Sequence, residues 1–291
     1  MVFKKIVPNF REKIAIFLEK NRRIFYFSNF DLTISGLLMA MFLVITYIAK
    51  ITIPTRFNLA FELPFYILLG IILHWFKGMI VAFSFDFGKL LLTSRIIFWT
   101  PEYAIVPIFI TFLAAVFFNL AKKNDKFLLI PMGLFFLSSG SVFLYYFFLE
   151  EIEIQKVPKV WGDLFNKKTV LILIGVFIIS VWTLAIILFV FYRKKRTKKL
   201  KIALISLITL AVCYLIARWL WHPFAFIQYY NRFLNRTGKD RLIQEYFYYY
   251  LTPIILKSTV SFPIYSFVVI ELVPLFLYLN KKHNYRWRFG Y

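Results

Sequence analysis

Six apolar runs, at 33–53, 103–121, 127–149, 169–192, 202–221 and 251–279, are each long enough to cross a bilayer as one helix. A crossing takes about 20 residues at about 1.5 Å of rise each. Six such runs in 291 residues leave little chain for anything else, and the expected fold class is an all-α polytopic membrane protein. The mean hydropathy of +0.72, far above that of a soluble domain, agrees.

A seventh stretch, 61–92, is of a different kind. Its 32 residues are too many for one comfortable span and are interrupted at His74, Lys77 and Gly78. Two short helices, 61–74 and 78–92, joined by a turn are expected, which brings the total to about eight spans.

The distribution of basic residues tests this count, because Lys and Arg collect on the cytoplasmic side of short loops. With the N-terminus inside, the inner segments hold 22 Lys and Arg, chiefly in residues 1–23, 122–126, 193–201 and 281–288, with Lys77 at the turn. The outer segments hold ten, diluted by Glu150, Glu151, Glu153, Asp163, Asp240 and Glu245. Both termini are therefore expected in the cytoplasm of a multi-pass cell-membrane protein. The net charge of +22 is spent on topology rather than gathered on one soluble face, so a nucleic-acid partner is not expected. Residues 1–30 are basic and only patchily apolar, which does not predict a cleavable leader. Phe10, Ile14, Phe17, Leu18 and Phe25 stand at helical spacing, compatible with an interfacial helix over 10–27, and Asn29 or Asp31 is suited to cap the first span.

Several chemistries lack their residues. The segment "FGKLL" at 87–91 has neither the first glycine nor the hydroxyl residue of a Gly-x-x-x-x-Gly-Lys-Ser/Thr phosphate loop, so the chain is not expected to hydrolyse ATP itself. His74, His222 and His283 are far apart in sequence, and the single cysteine, Cys213, allows neither an intramolecular disulfide nor a Cys-based metal site. The paired carboxylates of "EEIEIQK" at 150–156 sit in an expected outer loop and read as solvated. No catalytic residue, cofactor or metal is expected.

Ionisable groups inside the apolar stretches are the informative ones, since each costs at least about 2.5 kcal/mol at the centre of a span. Glu62, Asp86, Lys89, Glu102, Arg218 and Lys257 all fall in the outer half of the expected spans. They are placed to converge on a cavity open to the exterior, although Asp86 and Lys89, at i and i+3, are equally placed to neutralise one another. Polar and aromatic residues gather in the expected outer loops "TRFNLAF" (55–61), "SRIIFWTPEY" (94–103) and "WHPFAFIQYYNRF" (221–233). There Trp99 and Tyr103 are suited to stack on a planar ligand, or to form an interfacial belt, and Arg56 and Arg95 to attract an anionic one. Gly36 and Ala40, in "SGLLMA", have the small-xxx-small spacing that lets a partner helix approach closely.

In this order the pieces resemble the substrate-binding S component of an energy-coupling factor (ECF) vitamin transporter, over about 31–121 and 201–280. The residues that carry the likeness are the small-xxx-small segment, "RFNLAFELPFYILLG" followed by a turn and "FDFGKLL", and "FWTPEYAIVPIFITFLAAVFF", which is similar to the entry into the fourth helix of folate-type members. The ending "YLTPIILKSTVSFPIYSF" is similar to the final helix of the group, with Lys257 where a basic residue often stands. S components have six spans; here 122–200 adds a hairpin of two, and only Pro253 and Lys257 match the Pro-Phe-Asn-x-x-Lys ending of riboflavin-type members. The resemblance implies a basic segment at 1–30, four core spans within 31–121, the inserted hairpin at 122–200 and two core spans with a basic tail at 201–291. It also implies a high-affinity binder of a B-type vitamin, folate before riboflavin, that does no chemistry. Its partners would be a transmembrane coupling subunit, docking near Gly36 and Ala40, and two cytoplasmic ATPase subunits. Arg56, Glu62, Asp86, Lys89, Arg95, Trp99, Tyr103 and Lys257 would line the pocket. A self-sufficient secondary carrier for a small polar or anionic solute, with Asp86 or Glu62 coupling protons, is the alternative reading.

Overall fold

A reciprocal cap starts the first helix. Ser28 and Asp31 each accept from the other's backbone N–H, at 3.1 and 3.0 Å, and so satisfy two of the donors a helix start leaves open. The cap is thus Ser28, not Asn29, and Asp31 is its reciprocal partner inside the first turn. The computed structural model describes residues 25–52, 61–148, 167–235, 238 and 240–289. Most of the expected 10–27 helix, the loop holding Arg56 and the carboxylates of 150–156 lie outside them.

The described residues are helical, without strands. Seven helices are long and apolar enough to cross a membrane, as a polytopic membrane protein requires. We label the elements α1 (Asn29–Thr52), α2 (Glu62–Leu92), α3 (Pro101–Lys123), α4 (Leu129–Phe147), α5 (Lys167–Lys195), α6 (Lys198–Cys213), α7 (His222–Tyr229) and α8 (Ile243–Phe289). α6 runs through a π-helical stretch, Tyr214–Trp221, directly into α7.

α2 is a hairpin. Lys89 Nζ lies 2.5 Å from Glu62 Oε1, although 27 residues separate them and a straight helix would hold them about 40 Å apart. The chain reverses at His74, whose φ of 64° and ψ of 178° break the helix. The break is shorter than the expected 74–78: Lys77 and Gly78 are already helical. Gly78 serves close packing instead, since a Cβ there would come within 2.8 Å of Thr111 Cγ2 and 3.0 Å of the Leu69 carbonyl oxygen. The first leg is buried without interruption from Leu63 to Leu73, which explains its lack of a polar face. Gly70 lets it press on α3, where a Cβ would clash with the Thr111 carbonyl oxygen and meet Ala114 and Ala115.

α1 is peripheral. Ile34, Leu38 and Phe42, four residues apart, are its buried stripe, whereas Gly36 and Ala40 are exposed. α5 docks by a stripe as well: Val170, Ile174, Phe177, Val181 and Ala185 are buried, and Phe177 packs on Trp219 and on Phe262 of α8 with ring centroids 5.0 and 5.1 Å apart. Asp125 ties α4's entry to the following helices, accepting from Tyr192 and Lys201 at 2.6 Å each.

These contacts sort the bundle into two ends. The α1 start, the α2 tip and the late part of α8 share one: Lys77 Nζ is 2.6 Å from Asp31, and Asn280 donates to the Ile72 carbonyl at 3.4 Å. Glu62, Lys89 and the start of α3 share the other, which we call the rim. The expected outer loop at 221–233 is largely helix there: the first π-helical stretch runs unbroken into α7, Pro223, which has no N–H to donate to the preceding turn, follows it directly, and a second π-helical stretch, Tyr230–Leu234, continues α7.

Candidate functional site at the rim

The hairpin of α2 and the π-helical stretch after α6 bring four charges together. Glu62, on the first leg, takes Lys89 at 2.5 Å from the second leg and Arg218 at 3.5 Å from the π-helical stretch. Asp86 is 4.0 Å from Lys89. The local pairing expected between Asp86 and Lys89 is therefore the looser contact, and the long-range one to Glu62 is the hydrogen bond. The four side chains are 14 to 26% exposed, too open for a sealed internal salt bridge and too buried for a solvated one.

Around the charges stand aromatic and polar groups from four elements. Tyr66 of α2 and Tyr265 of α8 are 3% and 1% exposed. Both lie within electrostatic reach of Glu62 and Arg218, as does His222 at the start of α7. Tyr103, from the first turn of α3, lays its ring edge-on to His222 with centroids 5.5 Å apart and to Tyr229 at 6.2 Å. Lys257 of α8 is close enough for its charge to act on Arg218 and His222. Phe61 packs on Tyr265, with centroids 5.7 Å apart, where the hairpin begins.

A second pair braces the entrance. Glu102 receives two bonds from the Arg232 guanidinium, at 3.0 and 3.5 Å, and its carbonyl accepts from Trp221 Nε1 at 2.7 Å. Beyond it, Asn231 clasps the backbone of Arg241 through both side-chain atoms, at 2.9 and 3.0 Å, and the Arg241 guanidinium lies 3.5 Å from the centre of the Tyr230 ring.

Of the residues singled out in the sequence, Glu62, Asp86, Lys89, Tyr103 and Lys257 thus meet at the rim. Arg95 and Trp99 are exposed on the turn between α2 and α3, at the same end but outside the cluster, and Arg56 lies outside the described residues. Arg218, expected among the charges converging on an outer cavity, joins them, and His222, Tyr66 and Tyr265 complete the cluster without having been expected to line a pocket. Arg218 carried a signal, as an arginine within an apolar run; the two tyrosines carried none, since buried tyrosines are common in any helical core. Gly36 stands on the exposed face of α1 with no atom within 4 Å of an added Cβ. Among the described residues no group of three His, Cys, Asp or Glu is placed to hold a metal.

Fixed charges of both signs, phenol hydroxyls and ring faces are what the arrangement offers to a polar solute. No protein-family model matches the chain, and no curated protein or solved structure matches it.

Proposed function

We propose that the chain is the substrate-binding membrane subunit of an importer of the energy-coupling factor type, taking up a B-type vitamin, folate before riboflavin. The observation that carries this reading is the rim cluster of Glu62, Asp86, Lys89 and Arg218, partly open and bordered by Tyr66, Tyr103 and His222. Ionisable groups at such cost inside apolar helices serve a solute or an ion rather than the fold alone. The likeness of "RFNLAFELPFYILLG" and "FWTPEYAIVPIF" to S components supplies the class of solute. In this reading α2 crosses twice, giving eight crossings with both termini cytoplasmic. The basic segments 122–126, 193–201 and 281–288 then lie opposite the rim, as positive-inside bias requires. Energy comes from ATPase partners through a coupling subunit that docks on the exposed face of α1 around Gly36 and Ala40.

A self-sufficient carrier is the second reading. It is favoured by Asp86, which among the described residues has no ion pair closer than a 4.0 Å contact and, of the two carboxylates in the cluster, is the more available to exchange a proton. Native mass spectrometry of the gently purified protein, with release of any bound small molecule, separates the two. A stoichiometric vitamin, together with a co-purifying coupling subunit, is the expected result. A protein that stays empty across a vitamin panel, yet accumulates a solute when alone in liposomes, overturns it in favour of the carrier.

A further inference from the structure

The rim cluster is not balanced. Glu62 engages Lys89 and Arg218, and Asp86 adds a looser contact to Lys89, so two carboxylates serve two cations. Lys257 is a third cation in the same field, and among the described residues no carboxylate pairs with it.

One face of α8 sharpens the point. Lys257, Ser261 and Tyr265 stand at successive intervals of four, so they lie one above the other. Ser261 is occupied, bonded to the Lys257 carbonyl and to the Tyr214 hydroxyl. Tyr265 is not: it is 1% exposed, its hydroxyl has no hydrogen-bond partner among the described residues, and it lies within electrostatic reach of Arg218 and Glu62. A buried hydroxyl left without a partner is costly, and so is a cation inside an apolar span without a counter-charge. The two groups are about 12 Å apart along the helix, so a solute that presents negative charge to Lys257 and a second acceptor oxygen deeper, to Tyr265, satisfies both.

We propose that the α8 face formed by Lys257 and Tyr265, with Arg218 opposite, seats an anionic group of the bound solute. A carboxylate or phosphate beside Lys257 balances the surplus charge, and a second oxygen of the solute accepts the Tyr265 O–H. This deepens the reading of the chain as a solute-binding subunit and rests on it.

The test is binding by the purified full-length protein, read by thermal stabilisation and by tryptophan fluorescence. Probes are paired by charge: folic acid, biotin and pantothenate as carboxylates, riboflavin 5′-phosphate as a phosphate, and riboflavin and pyridoxine as uncharged compounds. The expected result is that an anionic probe binds and the uncharged ones do not. Lys257→Met should weaken that probe about tenfold or more, Lys257→Arg by less than about threefold, and Tyr265→Phe by an intermediate factor, as charge-assisted and neutral hydrogen bonds differ. An uncharged probe that binds as tightly as the anionic ones, or full affinity in Lys257→Met, overturns the anion seat and leaves the solute-binding subunit standing. Binding of no probe at all overturns both. Should Lys257→Met fail to fold, the comparison of charged and uncharged probes on the unaltered protein decides alone.

Discussion

Glu62→Gln keeps the shape of the side chain and removes the charge that joins the two legs of α2 to the π-helical stretch after α6. In the folded protein one oxygen lies 2.5 Å from Lys89 and the other 3.5 Å from Arg218, with all three side chains 21 to 26% exposed. Deleting one member of a buried pair costs about 3–5 kcal/mol, mostly because the partner stays behind unpaired. The residual exposure puts the expectation at the lower limit, about 3 kcal/mol, or about two orders of magnitude in the folded-to-unfolded ratio. Asp86→Asn is the control. Its carboxylate is 4.0 Å from Lys89, beyond hydrogen-bond range, and its loss should cost about 1 kcal/mol or less. Thermal unfolding in a mild detergent, followed by the fraction that remains monodisperse, ranks the variants. Adding Lys89→Met to Glu62→Gln removes the stranded cation and should recover at least about 1 kcal/mol relative to the sum of the single losses. Strict additivity, or a loss in Asp86→Asn equal to that in Glu62→Gln, would refute the assignment of Glu62 as the common partner.

Two further outcomes are expected. Gly70→Ala drives a methyl into the Thr111 carbonyl and should lower stability by about 1–3 kcal/mol, whereas Gly36→Ala, with open space around it, should leave stability unchanged while weakening capture of a coupling subunit; the same detergent melts and a pull-down compare them. Cys213 is fully buried and should resist a membrane-impermeant maleimide in intact cells, so a cysteine placed at Ser94 reports on the rim and one at Lys198 on the opposite end; labelling of Ser94→Cys and protection of Lys198→Cys is the expected pattern, and the reverse overturns the proposed orientation.

The long apolar runs made the helices legible, because a span announces itself by length and composition alone. The reversal within 61–92 was legible too, from a histidine, a lysine and a glycine in the middle of an apolar stretch. That the turn narrows to His74, and that Gly78 packs against Thr111, depends on contacts with α3 that no local pattern encodes. The helix through 221–233 was hidden by its polar and aromatic residues and by Pro223, which look like a loop although the helix runs on through them. Charged residues inside spans pointed to Glu62, Asp86, Lys89 and Lys257, but their pairing could not be read. Asp86 and Lys89 are neighbours in sequence, and only the folded hairpin puts Glu62 closer to Lys89. The tyrosines of the cluster were invisible for a different reason: in a chain with 18 of them, position carries the meaning and identity does not.

The first leg of the hairpin is short, and in the proposed importer its length fixes how far a bound solute still has to travel. From Glu62 to the reversal at His74 there are only three turns of helix, about 18 Å, against about 30 Å of hydrocarbon. With the tip at one edge of that layer, a solute held at the charged cluster has already passed about two-fifths of the membrane before any energy is spent. What remains for the transport step is a plug of Leu, Ile and Phe no thicker than those three turns. Adding a turn to each leg would lift the charges toward the surface and lower the cost of keeping them, and it would thicken the barrier by the same 5.4 Å pitch, about. Cheap charges and a thin barrier cannot both be had, and this hairpin is built for the thin barrier.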